Sequence, residues 1–488
     1  MWRPVAIVPR CVTFPDVQTE VELPMIQFVN TGSYPARTGN QVRPLVDGIP
    51  AFRRICEAIE SAQHSVWATI TFMWPSFNMP DDRGTALSVF ERAAQRGVDV
   101  RLIFWRPEEH MGKHRCNAFW GSSEHFELLT TQHPGVNIRW DKAAPGYCQH
   151  QKSWLIDAGS NSAISFVGGI NLNPNSLVPP GHDHSHTGSG PQNHDVYVEL
   201  SGPSVADVHH NFVQRWNEAS ERAHGTGTFG ERARQDLSFP NRAPDSCGSA
   251  HVQIQRTMSK GLYTNGCASV DGPAYDIAGG ERTNLEQYCA AIDAAERTIY
   301  IENQYIEVAP IVSALKDALS RNVEVVVVLP VSPDYSLRAS DMTDERKAFL
   351  ANRASLSEHD NFMLCGLAAK DDAGKRTAIY VHSKVMIIDG KFATVGSCNL
   401  HHHSLYGNGE LNVAINCAAT ASAIVGKLFE EHIAEDVSDL DDLAAIKRFK
   451  TIAQRNRELH DLGDSDWQGL AFKMDISTYG ERSQLNPR

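Results

Sequence analysis

Short apolar runs alternate with amphipathic segments along the chain, and the alternation recurs in its two halves. Residues 58–66 (AIESAQHSV) resemble residues 291–299 (AIDAAERTI), and each segment ends a helical pattern just before an apolar strand. Residues 96–100 (RGVDV) likewise resemble residues 321–325 (RNVEV), and each introduces a strand rich in β-branched residues. Helix followed by strand, repeated in this way, predicts α/β layering around a largely parallel sheet.

Each predicted half closes with a strand and then a helix. In the first half the strand covers residues 196–200 and the helix is entered through Gly202 and Pro203, and in the second half the strand covers residues 411–415. Residues 225–249 are rich in glycine, arginine, proline and serine and are predicted to be the linker. We therefore expect a first half over residues 1–230 and a second half over residues 245–488, with a helical, polar tail after about Asp441.

Composition narrows the class of protein. The longest apolar runs, such as residues 325–331, are strand-sized and fall short of the roughly 18–20 residues of a membrane span. The formal net charge of −13 disfavours a nucleic-acid partner, whose phosphates are bound by clustered lysine and arginine. Ten cysteines spread singly along the 488 residues suit a reducing compartment. The start of the chain shows no ordinary secretory signal, so a cytoplasmic monomer is the default expectation, with export by a dedicated machine as the open alternative.

One polar motif, H-x-K-x4-D, occurs twice, about 230 residues apart. Its residues are His150, Lys152 and Asp157 in HQKSWLIDAGSNSAISFVGGIN, and His382, Lys384 and Asp389 in HSKVMIIDGKFATVGSCN. Residues i and i+2 of a strand point to one face, so each histidine is expected to project together with its lysine. The aspartates lie an odd number of positions further on and are predicted to be structural. A single copy is a weak pattern, whereas two copies in two matching halves are a specific one.

The two histidine and lysine pairs suit phosphodiester chemistry. Such a reaction needs a nucleophile, an acid for the leaving alcohol, and positive charge around oxygens that gain negative charge. One imidazole can attack phosphorus to give a phosphohistidine, while the other protonates the leaving group and then deprotonates the incoming water or alcohol. The two lysines hold the phosphate oxygens, so no metal ion and no other cofactor is expected.

Further polar and small residues are placed to support this chemistry. Asp195 and Glu410 precede the closing strands and are predicted to orient the histidines. Small residues after each motif let the backbone approach the phosphate closely, and asparagines add amide donors. The predicted phosphate-binding residues are Gly169, Asn171, Ser397 and Asn399.

On these motifs the chain resembles the phospholipase D superfamily, and within it the eukaryotic and plant-type lipid enzymes. The resemblance extends to IENQY at residues 301–305, to His194 with Asp195, and to the segments SGP, NFVQRW and QIQRT, and it covers residues 45–435. It implies two duplicated α-β-α sandwich halves related by a pseudo-twofold, with the site between them. It also implies that His150 is the nucleophile and His382 the acid and base. The sequence departs from the plant pattern at residues 401–404 (HHHS), where plant-type members usually carry an arginine before the serine.

The function expected from the resemblance is phospholipase D activity. The substrate would be a glycerophospholipid at a membrane surface or in a micelle, and the products phosphatidate and free headgroup, or a new phosphatidyl ester when an alcohol is the acceptor. A nuclease or other nonlipid phosphodiesterase on the same scaffold is one alternative, and the acidic charge argues against it. A synthase that joins two lipids, which usually brings membrane segments, and a noncatalytic scaffold, which would bind phosphate without turnover, are the others.

Two histidine-rich segments leave a metal site open as a further possibility. His182, His184 and His186 lie in a glycine- and proline-rich loop, and His401, His402 and His403 follow the second motif. Such histidines are more often solvated than ligating when no further ligand is evident, and the loop over residues 174–193 is a candidate rim or lid. Arg256 and residues 303–305 either contact substrate or brace the interface between the halves. Bracing is the favoured expectation, with Arg256 the likelier site residue among them.

Overall fold

The computed structural model describes residues 25–107, 118, 120, 123–182, 188, 190–220, 236–333, 343–481 and 483–485. Its helices are α1 (Gly48–Ser61), α2 (Ala86–Gln95), α3 (Ser123–Gln132), α4 (Val205–Glu218), α5 (Thr283–Ala294), α6 (Ala309–Ser320), α7 (Asp344–Ala354), α8 (His402–Tyr406), α9 (Ala418–Ile433) and α10 (Asp442–Asp461). Its strands are β1 (Arg37–Val46), β2 (Ser65–Ile70), β3 (Asn78–Met79), β4 (Gly84–Thr85), β5 (Asp99–Trp105), β6 (Val136–Asp141), β7 (Ser153–Ile156), β8 (Ile164–Gly168), β9 (Asn193–His194), β10 (Val196–Ser201), β11 (Ala250–Met258), β12 (Glu281–Arg282), β13 (Thr298–Glu302), β14 (Glu324–Val328), β15 (Phe362–Lys370), β16 (Arg376–Val381), β17 (Val385–Ile388), β18 (Phe392–Gly396), β19 (Glu410–Asn416) and β20 (Ala471–Met474).

The two halves form sheets with the same strand order. The first sheet runs β1-β10-β8-β7-β2-β5-β6. The second runs β11-β19-β18-β17-β13-β14-β15. Helices α1 and α5 lead into the equivalent strands β2 and β13, as the repeated sequence predicts. The predicted duplication of an α/β unit is thereby confirmed.

The expectation of a largely parallel sheet is corrected by the strand pairings. Parallel pairing joins β2 to β5 and β5 to β6 in the first half, and β13 to β14 and β14 to β15 in the second. Strands β7, β8 and β10 and strands β17, β18 and β19 are antiparallel to their neighbours. The motif strands turn back after only a few residues, and a short connection permits antiparallel but not parallel pairing.

The sheets meet along their equivalent first strands. Strands β1 and β11 pair antiparallel, with Arg37 opposite Val252 and Asn40 opposite Ala250. Antiparallel pairing of equivalent strands is what a pseudo-twofold axis between the halves requires. One hydrophobic cluster then continues across this junction and includes Leu200 of the first half and Leu428 of the second. The halves therefore share part of their core.

Both ends of the described chain add to the second half. The side-chain amide of Asn416 donates to the carbonyl of Ile26 at 2.7 Å, and the Ser33 amide donates to Glu281 at 3.1 Å. Residues 25–34, which the sequence groups with the first half, therefore pack on the second. The tail after Asp441 forms α10 and the edge strand β20, which pairs with β15. Of the predicted linker, residues 225–235 lie outside the described residues. None of the described helices combines the length and apolar character that a membrane crossing needs.

Candidate active site

The two motifs occupy equivalent places in the two sheets. Strands β7 and β17 begin at Ser153 and Val385, so each histidine and lysine lies in the extended segment just before its strand. The Lys152 ammonium donates to the His150 carbonyl at 2.7 Å, and projection of the two side chains to one face stays a prediction. Lys384 makes the equivalent contact with the carbonyl of His382. Both histidines are buried, with 7% of each residue exposed.

Each histidine is held by a carboxylate from the opposite half. The Nδ1 atom of His150 lies 3.0 Å from Oε2 of Glu410, which belongs to the second half. The Nδ1 atom of His382 lies 2.5 Å from Oδ2 of Asp195, which belongs to the first. Both predicted carboxylates thus reach the site, with a crossed pairing that the sequence did not specify.

Backbone contacts between the halves produce this crossing. The His150 amide donates to the carbonyl of Gly409 at 2.8 Å, directly beside Glu410. The His382 amide donates to the carbonyl of His194 at 2.9 Å, directly beside Asp195. Strand β9 also pairs in parallel with β16. Each motif segment therefore runs along the carboxylate-bearing segment of the other half.

The surroundings keep both carboxylates ionised. Burial alone raises the pKa of Glu410, but the attraction of His150 and hydrogen bonds from its neighbours hold that pKa below its ordinary value. Those neighbours are hydroxyl donors, Ser397 at 2.6 Å and Ser404 at 2.5 Å, and the Asn408 amide at 3.2 Å. Burial also acts to raise the pKa of Asp195. The attraction of His382 and Lys384 outweighs burial, so the pKa of Asp195 lies below its ordinary value.

Both imidazoles are neutral bases in the protein without substrate. Burial lowers the pKa of His150, although the negative charge of Glu410 opposes this shift. Burial and the positive charge of Lys384 together lower the pKa of His382 to about 3. A carboxylate can only accept a hydrogen bond, so the network assigns the proton of each neutral ring to Nδ1. The Nε2 atom of each ring then carries a lone pair, as a nucleophile or a base requires.

The lysines bring the two pairs into one electrostatic site. The positive charge of Lys384 lowers the pKa of His150, and that of Lys152 lowers the pKa of His382, so the groups interact across the halves. Burial lowers the pKa of Lys152 itself to about 8. Lys384 also donates to Oε1 of Gln304 at 2.8 Å. Two buried ammonium groups that act on the same pair of imidazoles favour the binding of an anionic group such as phosphate.

Comparison with known proteins now assigns the family. Residues 55–216 and 288–433 match the family model described as cardiolipin synthase, PLD-like domain, so the match covers more than half of the chain. The chain belongs to this family, within the phospholipase D superfamily. The two matched segments coincide with the two halves, and each contains one copy of the motif.

Curated relatives include enzymes of two kinds. A cardiolipin synthase of Listeria innocua is 23% identical over 87% of this chain and 74% of its own length. Phospholipase D alpha 4 of Arabidopsis thaliana is 22% identical over 89% of this chain and 73% of its own. Among solved structures, phosphatidylserine synthase of Haemophilus influenzae shares the fold, with a TM-score of 0.54, 13% identity, and coverage of 88% of this chain and 96% of that one. These relatives are phospholipid-modifying enzymes, and the chain belongs with them in the superfamily.

The motif aspartates lie away from the catalytic pairs in this family member. Asp157 and Asp389 follow the ends of β7 and β17, at φ angles of 52° and 51°. Asp157 accepts hydrogen bonds from the amides of residues 63–65, and Asp389 from those of residues 296–298. Each therefore ties its turn to the start of the neighbouring strand, which is a structural role. The aspartates point away from the histidine and lysine pairs because they lie in the turn after each strand, and not because side chains alternate between the faces of a strand.

The four predicted phosphate-binding residues divide into two kinds. A Cβ atom on Gly169 would lie 2.3 Å from Oδ1 of Asp195, and the Ser397 hydroxyl donates to Glu410, so both position carboxylates. Asn171 and Asn399 are buried, and within the described residues their side-chain oxygens have no hydrogen-bond partner. Direct contact of these four residues with phosphate stays a prediction.

Arg256 braces the two halves, whereas Gln304 lies beside a motif lysine. The guanidinium of Arg256, which lies on β11 of the second half, donates to Glu281 at 2.7 Å, Gln214 at 2.6 Å and Ser33 at 2.7 Å. Gln214 belongs to α4 of the first half, so these hydrogen bonds join the two halves. Gln304, expected to brace, contacts Lys384 and donates to the Tyr380 hydroxyl at 2.7 Å.

Several neighbours of the site residues were not predicted from the sequence. Ser404 and Asn408 lie shortly before Glu410 in the chain, and this proximity was the available signal. His401 caps α8 by accepting from the Ser404 amide, which fixes the serine beside Glu410. His182 is 1% exposed and therefore not a solvated loop residue, whereas His184 and His186 lie outside the described residues.

Proposed function

We propose that this chain is a phosphatidyl-transferring phosphodiesterase that hydrolyses glycerophospholipids to phosphatidate and free headgroup through a phosphohistidine on His150. One observation carries the proposal. Two histidine and lysine pairs share one electrostatic site, and the Nδ1 atom of each histidine is held by an ionised carboxylate from the opposite half. This arrangement provides every group that in-line displacement at phosphorus requires.

In the first step the Nε2 atom of His150 attacks phosphorus, and the bond from phosphorus to the headgroup oxygen breaks. The imidazolium that forms keeps its proton on Nδ1 and donates it in a hydrogen bond to Glu410, whose negative charge stabilises the cation. The leaving oxygen takes a proton from Nε2 of His382. The pKa of His382 is low in the free site because of burial and Lys384, and an anionic diester placed beside it raises that pKa toward protonation.

In the second step water or an alcohol attacks the phosphohistidine. Neutral His382 removes the proton of the incoming hydroxyl, the bond from phosphorus to nitrogen breaks, and His150 is released as the neutral base. Lys152 and Lys384 stabilise the phosphoryl oxygens throughout, and in this proposal the amide groups of Asn171 and Asn399 donate hydrogen bonds to them as well. The acceptor alone decides whether the product is phosphatidate or a new ester.

A second lipid is the alternative acceptor. The matched family model is described as cardiolipin synthase, and cardiolipin synthases are among the relatives. Transfer to the hydroxyl of a phosphatidylglycerol molecule would use the same intermediate and the same residues. The substrate class is supported by these relatives and by the net charge of −13, which disfavours a nucleic acid.

Product analysis tests the proposal. The purified full chain is mixed with micelles of phosphatidylcholine, phosphatidylethanolamine and phosphatidylglycerol and dilute ethanol, and the lipids are identified by mass spectrometry. Phosphatidate with phosphatidylethanol is the expected result, and cardiolipin as the main product would support the synthase alternative. The His150→Ala variant should give neither, whereas the same substitution at exposed His64 should leave turnover intact. Cleavage of an oligonucleotide with no lipid product would contradict the lipid assignment.

Trapping assigns the nucleophile. Removal of the acid and base in His382→Ala slows breakdown of the intermediate, so a substrate with a good leaving group, such as a p-nitrophenyl ester, should leave a stable acid-labile phosphoryl adduct. Peptide mapping is expected to find it on His150. An adduct on a different residue of the active site would contradict this assignment.

A further inference from the structure

A second buried cluster of ionisable groups lies beside the catalytic pairs, where the halves meet. Its members are Asp47, His182, His194 and Glu431. The first three belong to the first half, and Glu431 lies in α9 of the second half. Their side chains are 0–2% exposed. The cluster takes no part in the proposed displacement at phosphorus.

Five atoms of these four residues face one another, two of them on the Asp47 carboxylate. The Nε2 atom of His182 lies 3.5 Å from Oδ2 of Asp47 and 3.1 Å from Oε1 of Glu431. The Nδ1 atom of His194 lies 3.1 Å from Oδ1 of Asp47 and 3.7 Å from Oε1 of Glu431. A tetrahedron of nitrogen and oxygen ligands about 2.0–2.1 Å from a central ion has edges of about 3.3 Å. The observed spacings bracket that edge length.

In both histidines, the outer ring nitrogen, which points away from the cluster, already has a hydrogen-bond partner. The Nδ1 atom of His182 lies 3.1 Å from the amide oxygen of Gln192, and the Nε2 atom of His194 lies 3.0 Å from a carboxylate oxygen of Glu302. Both partners are acceptors, so each outer nitrogen carries a proton. In a neutral imidazole the inner nitrogen then has a lone pair. A carboxylate or amide oxygen behind a histidine is also the usual support of a metal-bound imidazole.

The inner atoms lack partners although they are buried. Within the described residues, His182 Nε2, His194 Nδ1, Asp47 Oδ2 and Glu431 Oε2 make no hydrogen bond. Buried polar atoms are almost always satisfied. Three unsatisfied atoms that face one another, with a fourth on the same Glu431 carboxylate, indicate that something is bound there. Two buried carboxylates and two lone pairs also need positive charge. Asp47 is held at φ 62° and ψ 166°, a strained conformation for a residue other than glycine.

We propose that this cluster binds one divalent transition-metal ion of the zinc type through Asp47, His182, His194 and Glu431. Two imidazoles and two carboxylates in a four-coordinate arrangement suit Zn²⁺, whereas Mg²⁺ and Ca²⁺ prefer all-oxygen ligands. All four positions are filled by protein, which makes the site structural. The ion links the two halves and fixes His194, whose carbonyl holds the His382 amide and whose neighbour in sequence is Asp195.

Metal analysis of the full chain tests this site. The protein is purified without a chelator and without a metal-affinity tag, and its metal content is measured by plasma mass spectrometry. About one zinc-type ion per chain is expected, with an X-ray absorption spectrum of two imidazole nitrogens and two oxygens. Glu431→Gln should lose the ion, whereas Glu430→Gln, the same change at the exposed neighbouring residue, should retain it.

Two further measurements keep the proposal open to refutation if Glu431→Gln fails to fold. Dialysis of the unaltered chain against a chelator should lower its melting temperature by several degrees, and Zn²⁺ but not Mg²⁺ should restore it. A His184→Gln, His186→Gln double variant should keep its metal, because those histidines are not among the four ligands. An unaltered chain that holds no metal even after incubation with Zn²⁺ would overturn the proposal, since two imidazolium protons would then fill the cluster. Loss of metal only in the double variant would overturn it as well.

Discussion

At the scale of single residues, the chemistry depends on protons that side chains hold in fixed places. Glu410 accepts from His150 and from two serine hydroxyls, so its charge and orientation are both determined. The Nδ1 proton of His150 is thereby fixed, and its Nε2 atom is free to attack. The same logic holds for Asp195 and His382. Replacing a carboxylate by an amide of equal size removes the charge and permits the wrong tautomer.

Glu410→Gln is therefore expected to lower kcat by about 10³–10⁴-fold with little change in the melting temperature. The physical reason is that the amide no longer stabilises the imidazolium of the phosphohistidine step. Steady-state kinetics on micellar phosphatidylcholine measures this effect. Glu57→Gln, at a half-exposed surface ion pair, is the matched control and should be unaffected. Near-normal kcat in Glu410→Gln would refute the orienting role.

The buried ammonium of Lys152 predicts an alkaline limit to activity. Burial lowers its pKa to about 8, so the ammonium is charged below that pH and loses its proton, and its hold on phosphate, above it. For phosphatidylcholine, whose headgroup does not titrate in this range, kcat/KM should fall about tenfold per pH unit above about pH 8. Lys152→Arg keeps its charge and should move this limb upward even if its maximal rate is lower. An unchanged alkaline limb in Lys152→Arg would assign the titration to another group.

At the scale of elements, the site depends on how closely neighbouring segments approach each other. The motif hairpin of β7 and β8 ends at Gly168, and a Cβ atom on the next residue, Gly169, would strike the Asp195 carboxylate at 2.3 Å. In the second half, a Cβ atom on Gly396 would lie 2.1 Å from the side chain of Asn412. These glycines allow the strand that carries each carboxylate to lie against the motif hairpin.

Gly169→Ala should displace Asp195 and lower kcat by roughly 10²-fold, because small misplacements of catalytic groups are costly. Gly426→Ala is the control: a Cβ atom there meets nothing within 4 Å, and alanine should if anything stabilise α9. Activity and melting temperature of both variants are to be compared. Equal activity in the two alanine variants would show that Asp195 tolerates the displacement.

At the scale of the whole molecule, neither half contains a complete site. Each motif histidine contacts a carboxylate from the other half, and one hydrophobic cluster runs through both halves. Leu200 and Leu428 lie in that cluster at 0% exposure, one in each half. The halves should therefore unfold together despite their duplicated architecture.

Scanning calorimetry is expected to show one transition. Leu200→Ala and Leu428→Ala should each destabilise the chain by about 2–5 kcal/mol, and both should move the whole transition to lower temperature. A substitution at the exposed Leu462 should move it little. Two resolved transitions, each shifted by only one of the core substitutions, would mean that the halves unfold independently.

Much of this could be predicted from the sequence. The duplication, the elements around each motif, and the spacing that joins His150 to Lys152 and His382 to Lys384 follow from repeated patterns that act locally. A single site shared by the two pairs was implied by the family resemblance. The identity of the two carboxylates was also available, because they precede matching strands. The histidine that each carboxylate contacts could not be predicted. A contact such as that of His150 with Glu410 joins residues 260 positions apart and depends on how the halves dock.

What the sequence determined by itself was local: which segments form helices and strands, which residues are candidates for the chemistry, and that the unit occurs twice. Tertiary structure decided the rest. The motif strands pair antiparallel, and each carboxylate contacts the histidine of the other half. Arg256 points inward and Gln304 contacts Lys384. The packing of the halves also brings together Asp47, His182, His194 and Glu431. The physical reason is that periodicity and turn chemistry act over a few residues, whereas these contacts arise only when the two sheets pack and bury the groups that must then find partners.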